Sequence, residues 1–477
     1  MYSHRVLGLV IGLGLTLAPA AVFEPVQPDL FSAPGAQPNA WADFDNDGDL
    51  DLYVGMRYGP NRLYRNDSGT FRDVAGDVGL DVPDDTRVAA WSDFDGDGHL
   101  DLYIGFPFEE GRGNRLYRNN GDGRSFSDVA PRFGVDAPGV TRQASFVDYD
   151  NDGDLDLFVA FRDRINRLFR NDGERFTDVS ESSGIGDPRR SVGVAWFDMD
   201  EDGDLDAFVA NQNGDNDGLF RNDGGRFVDV ARDLGMDGGE RSEEIGGVGP
   251  AVVDYDNDGH LDLFVAMYGP DVLFRNEGGG RFTAFDAGPV NDDYHSTSAT
   301  WGDFDNDGWP DLFVVSYLSG IAEVPDHLYR NVAGRFENVT PELVLQKGAS
   351  HGVQWADFDG DGDLDLALAN NHPDAGHPLY RNTLDPEASR RSLQVFVGRP
   401  GSEVRVFRPG TREVLGSRLV DTGGGYCSQN VMSVHFGLGP VERVDVEVTT
   451  LGSDGRHVTR IENVDAGAGP ALVVGPR

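Results

Sequence analysis

Seven times in this chain the pattern Asp-x-Asp-x-Asp-Gly-x-x-Asp occurs, and no copy has lost an aspartate or the glycine. The quartets are Asp43, Asp45, Asp47 and Asp51; Asp93, Asp95, Asp97 and Asp101; Asp148, Asp150, Asp152 and Asp156; Asp198, Asp200, Asp202 and Asp206; Asp254, Asp256, Asp258 and Asp262; Asp303, Asp305, Asp307 and Asp311; and Asp357, Asp359, Asp361 and Asp365. Aspartates at loop positions 1, 3, 5 and 9, with a backbone carbonyl at position 7, make the all-oxygen shell that a hard cation needs. The carbonyls belong to Asp49, His99, Asp154, Asp204, His260, Trp309 and Asp363. Calcium is the expected occupant, about seven ions per chain. Magnesium asks for a tighter octahedron, and zinc or copper for His or Cys, which the four positions never hold. A helix-loop-helix calcium site would place Glu at position 12, but the first copy has Val54 there, after the strand-like Leu52 and Tyr53.

The loops are spaced 50, 55, 50, 56, 49 and 54 residues apart, a propeller-type period. Small and apolar residues precede each loop, as in Val88-Ala89-Ala90-Trp91, and an apolar run follows it, as in Leu157-Phe158-Val159. Next comes Leu-Tyr/Phe-Arg-Asn, starting at Leu63, Leu116, Leu168, Leu219, Leu273, Leu328 and Leu379, and then, after a turn, Phe-x-Asp-Val, as at Phe71, Phe126, Phe176 and Phe227. Four strands per unit make a propeller blade. Unit seven lacks its fourth strand, and Phe23-Glu24-Pro25-Val26 parallels Phe336-Glu337-Asn338-Val339. Residues 23–26 are therefore expected to close the last blade and protect its edge. The arginine of the third strand (Arg65, Arg118, Arg170, Arg221, Arg275, Arg330, Arg381) is expected to satisfy local carboxylates such as the Asp of Phe-x-Asp-Val.

The formal net charge is −42, and the 28 loop aspartates carry two thirds of it. Seven divalent cations would bring it to −28. Such a surface repels nucleic acid and anionic lipid, so neither is expected as a partner. Residues 1–20 read as a cleavable export signal, with Arg5, an apolar run over 6–17 and Ala18-Pro19-Ala20, cleaved near Ala20. That run is short for a membrane span, and no other stretch approaches one. The expected location is secreted or periplasmic. The single cysteine, Cys427, cannot form an internal disulfide.

The expected architecture is all-β: a seven-bladed β-propeller over residues 21–384, then a small β-sandwich-like domain over 385–477. Strands of the second domain are expected at 393–397, 403–407, 431–436, 444–449 and 457–461. Irregular loops between strands hold His295, His327, His351, His372 and His377, in no recognisable ligand spacing. Ser428 and His435 lie near one another in sequence, but the strand-to-helix elbow that presents a nucleophilic serine is absent. No catalytic constellation is expected.

The Asp loops, Leu-Tyr-Arg-Asn and Phe-x-Asp-Val together resemble the FG-GAP/VCBS repeats of integrin-α-like propellers. Gly425-Tyr426-Cys427-Ser428-Gln429-Asn430 with His435-Phe436-Gly437-Leu438-Gly439 resembles the ASPIC/UnbV domain that follows such propellers in bacterial members. Gly401-Ser402-Glu403-Val404 stands as a shortened form of that domain's early glycine turn. The resemblance implies secreted calcium-binding proteins of adhesion or matrix interaction, with extracellular protein or glycan as partner and no defined reaction. A calcium-dependent carbohydrate-active enzyme (lyase or hydrolase) and a lectin stand as alternatives.

Overall fold

A computed structural model describes residues 22–317, 324–345, 349–420, 425–467 and 471–475; the export-signal reading of residues 1–20 lies outside them. Each Asp loop is the turn between two antiparallel strands, and its ninth residue begins the second of them. In the first unit Ala36–Ala42 leads into the loop, Asp51–Met56 leaves it, and Arg62–Asp67 and Thr70–Asp73 complete the sheet. Seven such sheets lie around one axis among the described residues. Their innermost strands touch in succession, and Ala36–Ala42 in turn touches Ser350–Ala356 of the seventh sheet, which closes the ring. The protein is a β-propeller with a second all-β unit.

The innermost strands are crowded enough to explain their small residues. A Cβ at Gly193 would meet the Val248 carbonyl oxygen at 2.2 Å, and one at Gly352 would meet Asn39 Oδ1 at 2.5 Å. Farther out, the blades bury aromatic side chains between them: Trp41 stacks on Phe358 of blade seven with ring centroids 6.2 Å apart, and Trp196 meets Phe227 edge-on at 5.9 Å. The fourth strand of blade seven is Val22–Pro25, which pairs antiparallel with Leu379–Thr383 in the register Phe23 to Asn382.

Two features depart from the four-strand reading. Residues 106–114 contain the strand Pro107–Gly113, which pairs with Pro138–Val147 and gives blade three a fifth strand. One-turn helices, Ala75–Val78, Ala130–Phe133 and Ser180–Ser183, follow the fourth strands of blades one to three. Their short sequences lack the apolar periodicity that signals a helix.

The second unit packs a three-stranded sheet (Ser392–Val397, Ser433–Gly437, Leu472–Val474) against a four-stranded one (Glu403–Phe407, Val414–Leu419, Arg443–Gly452, Gly455–Asp465) over a shared apolar core. Strands Val414–Leu419 and Leu472–Val474 were not anticipated, and residues 431–432 lie outside the strand expected there. The segment 425–430 leaves this unit and enters the propeller axis. Ser428 and Gln429 pair parallel with Asn39 and Ala40 of blade one, and Gly425 bridges to Val194 of blade four. Gln429 accepts from the Trp91 N–H and donates to the Trp91 carbonyl, and Cys427 N–H donates to Gln143 Oε1. Ser428 Oγ accepts from the Val353 N–H, so blades one to four and seven all hold this plug.

Candidate metal centres

Position 9 of each loop is a buried hub. Asp51 accepts through Oδ2 from the N–H of position 2, Phe44 (3.1 Å), and through Oδ1 from the N–H of Asn66 on the third strand (2.8 Å). The same pair of bonds recurs at Asp101, Asp156, Asp206, Asp262, Asp311 and Asp365. Position 1 accepts from the Gly N–H at position 6, as Asp43 Oδ2 does from Gly48 at 3.0 Å. Position 5 accepts from the N–H of position 7, as Asp47 Oδ1 does from Asp49 at 3.0 Å. The loop backbone is thus folded around its own carboxylates. Position 4 takes left-handed backbone, as at Asn46, Asn151, Asn257 and Asn306 (φ 55° to 58°), where Asn is well tolerated.

The carboxylates of positions 1, 3 and 9 converge. In the first five loops these three each offer an oxygen within 4.8 Å of the others, and two further groups of this kind exist in the chain. The position 5 carboxylate is not part of these triplets; its Oδ1 accepts from the position 7 N–H. A donor set of carboxylate oxygens alone could hold a hard metal ion. The fit is supported by orphaned atoms: Oδ1 of Asp45, Asp150, Asp200, Asp256, Asp305 and Asp359, all at position 3, is buried with no hydrogen-bond partner. Burial, with neighbouring carboxylates adding to it, pushes Asp51 up to about 9, Asp101 to about 8 and Asp262 to about 9. These groups are ill at ease as bare anions and gain from a cation.

A pH prediction follows from those shifts. A carboxylate whose folded pKa lies above its unfolded value destabilises the fold increasingly as pH rises from the unfolded pKa, near 4, toward the folded one. Metal-stripped protein is therefore expected to melt at a higher temperature at pH 5.5 than at pH 8. Calorimetry on stripped samples at the two values tests this, and the opposite order would contradict the burial argument.

The third-strand arginines do satisfy local carboxylates, though not the Asp of Phe-x-Asp-Val. Arg118 pairs with Asp95 and with Asp97 (2.9 Å), Arg275 with Asp256 and Asp258 (2.9 and 3.0 Å), and Arg330 with Asp305 and Asp307 (2.7 and 2.8 Å). Register explains the difference: Arg65 lies opposite Arg72, one residue out of step with Asp73, which instead pairs with Arg62 at 2.6 Å. The asparagine beside each arginine carries a role not anticipated. Its Nδ2 donates to the position 2 carbonyl of the preceding blade: Asn119 to Phe44, Asn171 to Phe94, Asn222 to Tyr149, Asn276 to Met199, Asn331 to Tyr255 and Asn382 to Phe304. Asn66 donates to Phe358 and completes the circle. Each Asp loop is thereby tied to the next blade.

The second unit sits on the loop face. Arg399 pairs with Asp148, Arg456 with Asp198 (2.9 Å) and Arg405 with Glu201 (2.8 Å), while Gln394 donates to Asp357 (2.7 Å) and Gly439 N–H to the Asn306 carbonyl (3.0 Å). The loop histidines do not gather into a site. His377 bonds to Tyr64 and the Ala33 carbonyl, His351 contacts the Ala349 carbonyl, His327 meets Asn338, and His372 accepts from the Asp374 N–H. His295 lies against the Tyr268 ring. Ser428 and His435 are likewise apart in their bonding: Ser428 serves the plug, and His435 faces the Gly362 carbonyl at 3.3 Å.

The model of the FG-GAP-like repeat matches residues 43–104, 93–159, 148–209, 198–265, 254–314 and 317–368, and that of ASPIC and UnbV matches 400–468. The chain belongs to the FG-GAP-like repeat family and carries an ASPIC and UnbV domain. It is similar to cartilage acidic protein 1: 30% identical over 273 residues to that of Mus musculus and 29% over 278 residues to that of Homo sapiens, covering 52% and 54% of this chain. Each match spans 40% of the relative's own length. Among solved structures, YCF48 from Cyanidioschyzon merolae aligns over 77% of this chain and 100% of its own, with 11% identity and a TM-score of 0.45. No helix among the described residues is long and apolar enough to cross a membrane.

Proposed function

We propose that this chain is a secreted or periplasmic scaffold that binds extracellular protein or glycan, with about seven calcium ions rigidifying its propeller, and that it performs no catalysis. The observation that carries the reading is the recurrence of converging carboxylates with buried, unpartnered oxygens at the same place in successive blades. Oxygen-only donors favour calcium over zinc or copper. Positions 1, 3, 5 and 9, with the position 7 carbonyls of Asp49, His99, Asp154, Asp204, His260, Trp309 and Asp363, would hold the ions. Bound calcium would neutralise carboxylates that otherwise repel across each loop. Support for an extracellular binding role comes from the FG-GAP-like family and from the similarity to cartilage acidic protein 1. In this reading the domains are the export signal at 1–20, the propeller at 21–384 and the second domain at 385–477.

Calcium titration of stripped protein tests the proposal. Close to seven ions per chain are expected, and one or none would overturn it. The coverage of the loop face adds a finer expectation. Position 1 is buried at Asp148, Asp254, Asp303 and Asp357 and half-buried at Asp198, which Arg456 covers; it is half-buried at Asp43 and Asp93 too, where no residue of the second unit bonds to the loop among the described residues. Chelator should therefore withdraw ions in two phases, with the sites of blades one and two emptying first. A single phase for all sites would contradict the shielding argument.

A further inference from the structure

At the end of the axis remote from the Asp loops, a cavity of about 1120 Å³ opens onto the propeller. In a chain of net charge −42, five arginines line it: Arg57, Arg112, Arg142, Arg162 and Arg190. Three belong to ion pairs. Arg57 stands 3.9 Å from Asp85, Arg112 pairs with Asp84, and Arg190 holds Asp215 through Nε at 2.9 Å. The remaining lining carboxylate, Asp163, is taken by Arg164 at 2.7 Å. Arg162 donates to the neutral Asn213. Arg142 has no carboxylate within 4 Å among the described residues, and its Nε is buried without a hydrogen-bond partner.

The fold aims Arg142 deliberately. The pairing of Pro138–Val147 with Asp156–Phe161 skips a residue between Thr141 and Gln143, so Arg142 is the extra residue of a β-bulge, a device that redirects a side chain out of the pleat. Pairing shifts at the same place in blades four and five, at Val192 and Val248, and these two pack on Tyr426 and Cys427 of the plug. On the other side of Tyr426, its hydroxyl accepts from Arg87 at 3.0 Å. The plug thus floors the axis beneath Arg142, and burial holds Arg142 below the ordinary guanidinium range, with Arg87 and Arg162 adding to the effect. Asp85, shared among Arg57, Arg87 and Arg142, is the one carboxylate whose charge reaches Arg142 among the described residues, and neither Arg142 nor Arg162 is in ion-pair contact with a carboxylate there. The two guanidinium groups face one cavity as planar donors suited to bidentate oxyanions.

We propose that this cavity is an anion-binding site, taking a small ligand or sugar residue that carries carboxylate or sulfate groups and engages Arg142 and Arg162. The test is isothermal titration of the mature, calcium-loaded chain with two probes, succinate and a sulfated disaccharide, at low and high salt. Binding of either probe, weakened by salt, is expected. Arg142→Gln and Arg162→Gln should each weaken it at least about tenfold, roughly the loss of one charge-assisted contact, while the melting temperature is kept. Arg142→Lys should recover part of the affinity. If Arg142→Gln disturbs the innermost strand, Arg162→Gln, beyond the strand end, decides alone. Binding of succinate only or of the disaccharide only supports the site and names its preferred oxyanion. Failure of both probes to bind below about 10 mM, a free energy near 3 kcal/mol, would overturn the proposal. So would equal affinity in the double glutamine variant.

Discussion

Stripping divalent cations from the chain is expected to lower its melting temperature by on the order of 10 °C. With extracellular-type affinities of about 0.1 to 1 mM and a tenfold excess of ion, each site contributes about 1.4 kcal/mol. Seven sites then contribute about 10 kcal/mol, as much as the whole stability of a typical domain. Unfolding entropy of about 2 cal/mol/K per residue over this length converts that into a shift of roughly ten degrees. The location of the loops makes the loss cooperative. Position 9 holds the third strand through the N–H of its asparagine, and that asparagine holds the preceding blade. Scanning calorimetry with and without chelator, at fixed ionic strength, measures the shift. A melting temperature indifferent to chelator would sink the structural role of the ions.

The second large effect is expected from the N-terminal strand. Deleting residues 22–25 should leave a chain that melts far earlier and self-associates. Phe23 is buried against Phe304 and Trp355, with centroids 6.4 and 6.2 Å apart, and removing such a side chain costs about 3–5 kcal/mol. The deletion also strips Leu379–Thr383 of its outer partner and bares its backbone N–H and C=O groups, a ready template for another chain. Light scattering and size-exclusion chromatography would reveal dimers or aggregates. A monomer of unchanged melting temperature would show that blade seven stands without its fourth strand. Phe23→Ala, which keeps the backbone pairing, should show the loss of stability without the self-association.

What the sequence disclosed and what it hid follow from whether a residue's partner is near in the chain. The Asp loops were legible because position 1 and the Gly of position 6 are bonded within a single turn, and because the pattern recurs. The strand Val22–Pro25, expected at 23–26, was legible only by analogy with 336–339. The role of the asparagine of Leu-Tyr/Phe-Arg-Asn was not legible, since the carbonyl it reaches lies a blade away, as from Asn119 to Phe44. Its neighbouring arginine was matched with the wrong carboxylate because strand register was unknown. The plug was least visible of all. One unrepeated hexapeptide meets different residues on different blades, Asn39, Trp91, Gln143, Val194 and Val353 among them, so no periodicity announces it. For the same reason nothing in the sequence singles out Arg142, which the bulge turns toward the cavity.

The circular fastening also governs how such a chain is made. Val22–Pro25 leaves the ribosome hundreds of residues ahead of its partner Leu379–Thr383, which is among the last segments of the propeller. At about 5–20 residues per second the first strand waits for on the order of tens of seconds. The axial hexapeptide arrives later still, at 425–430. Early blades can form locally, but closure depends on pairings of extreme sequence separation, which fold slowly. Premature termination anywhere before the hexapeptide therefore releases a chain with no stopper in its axis, however complete its blades.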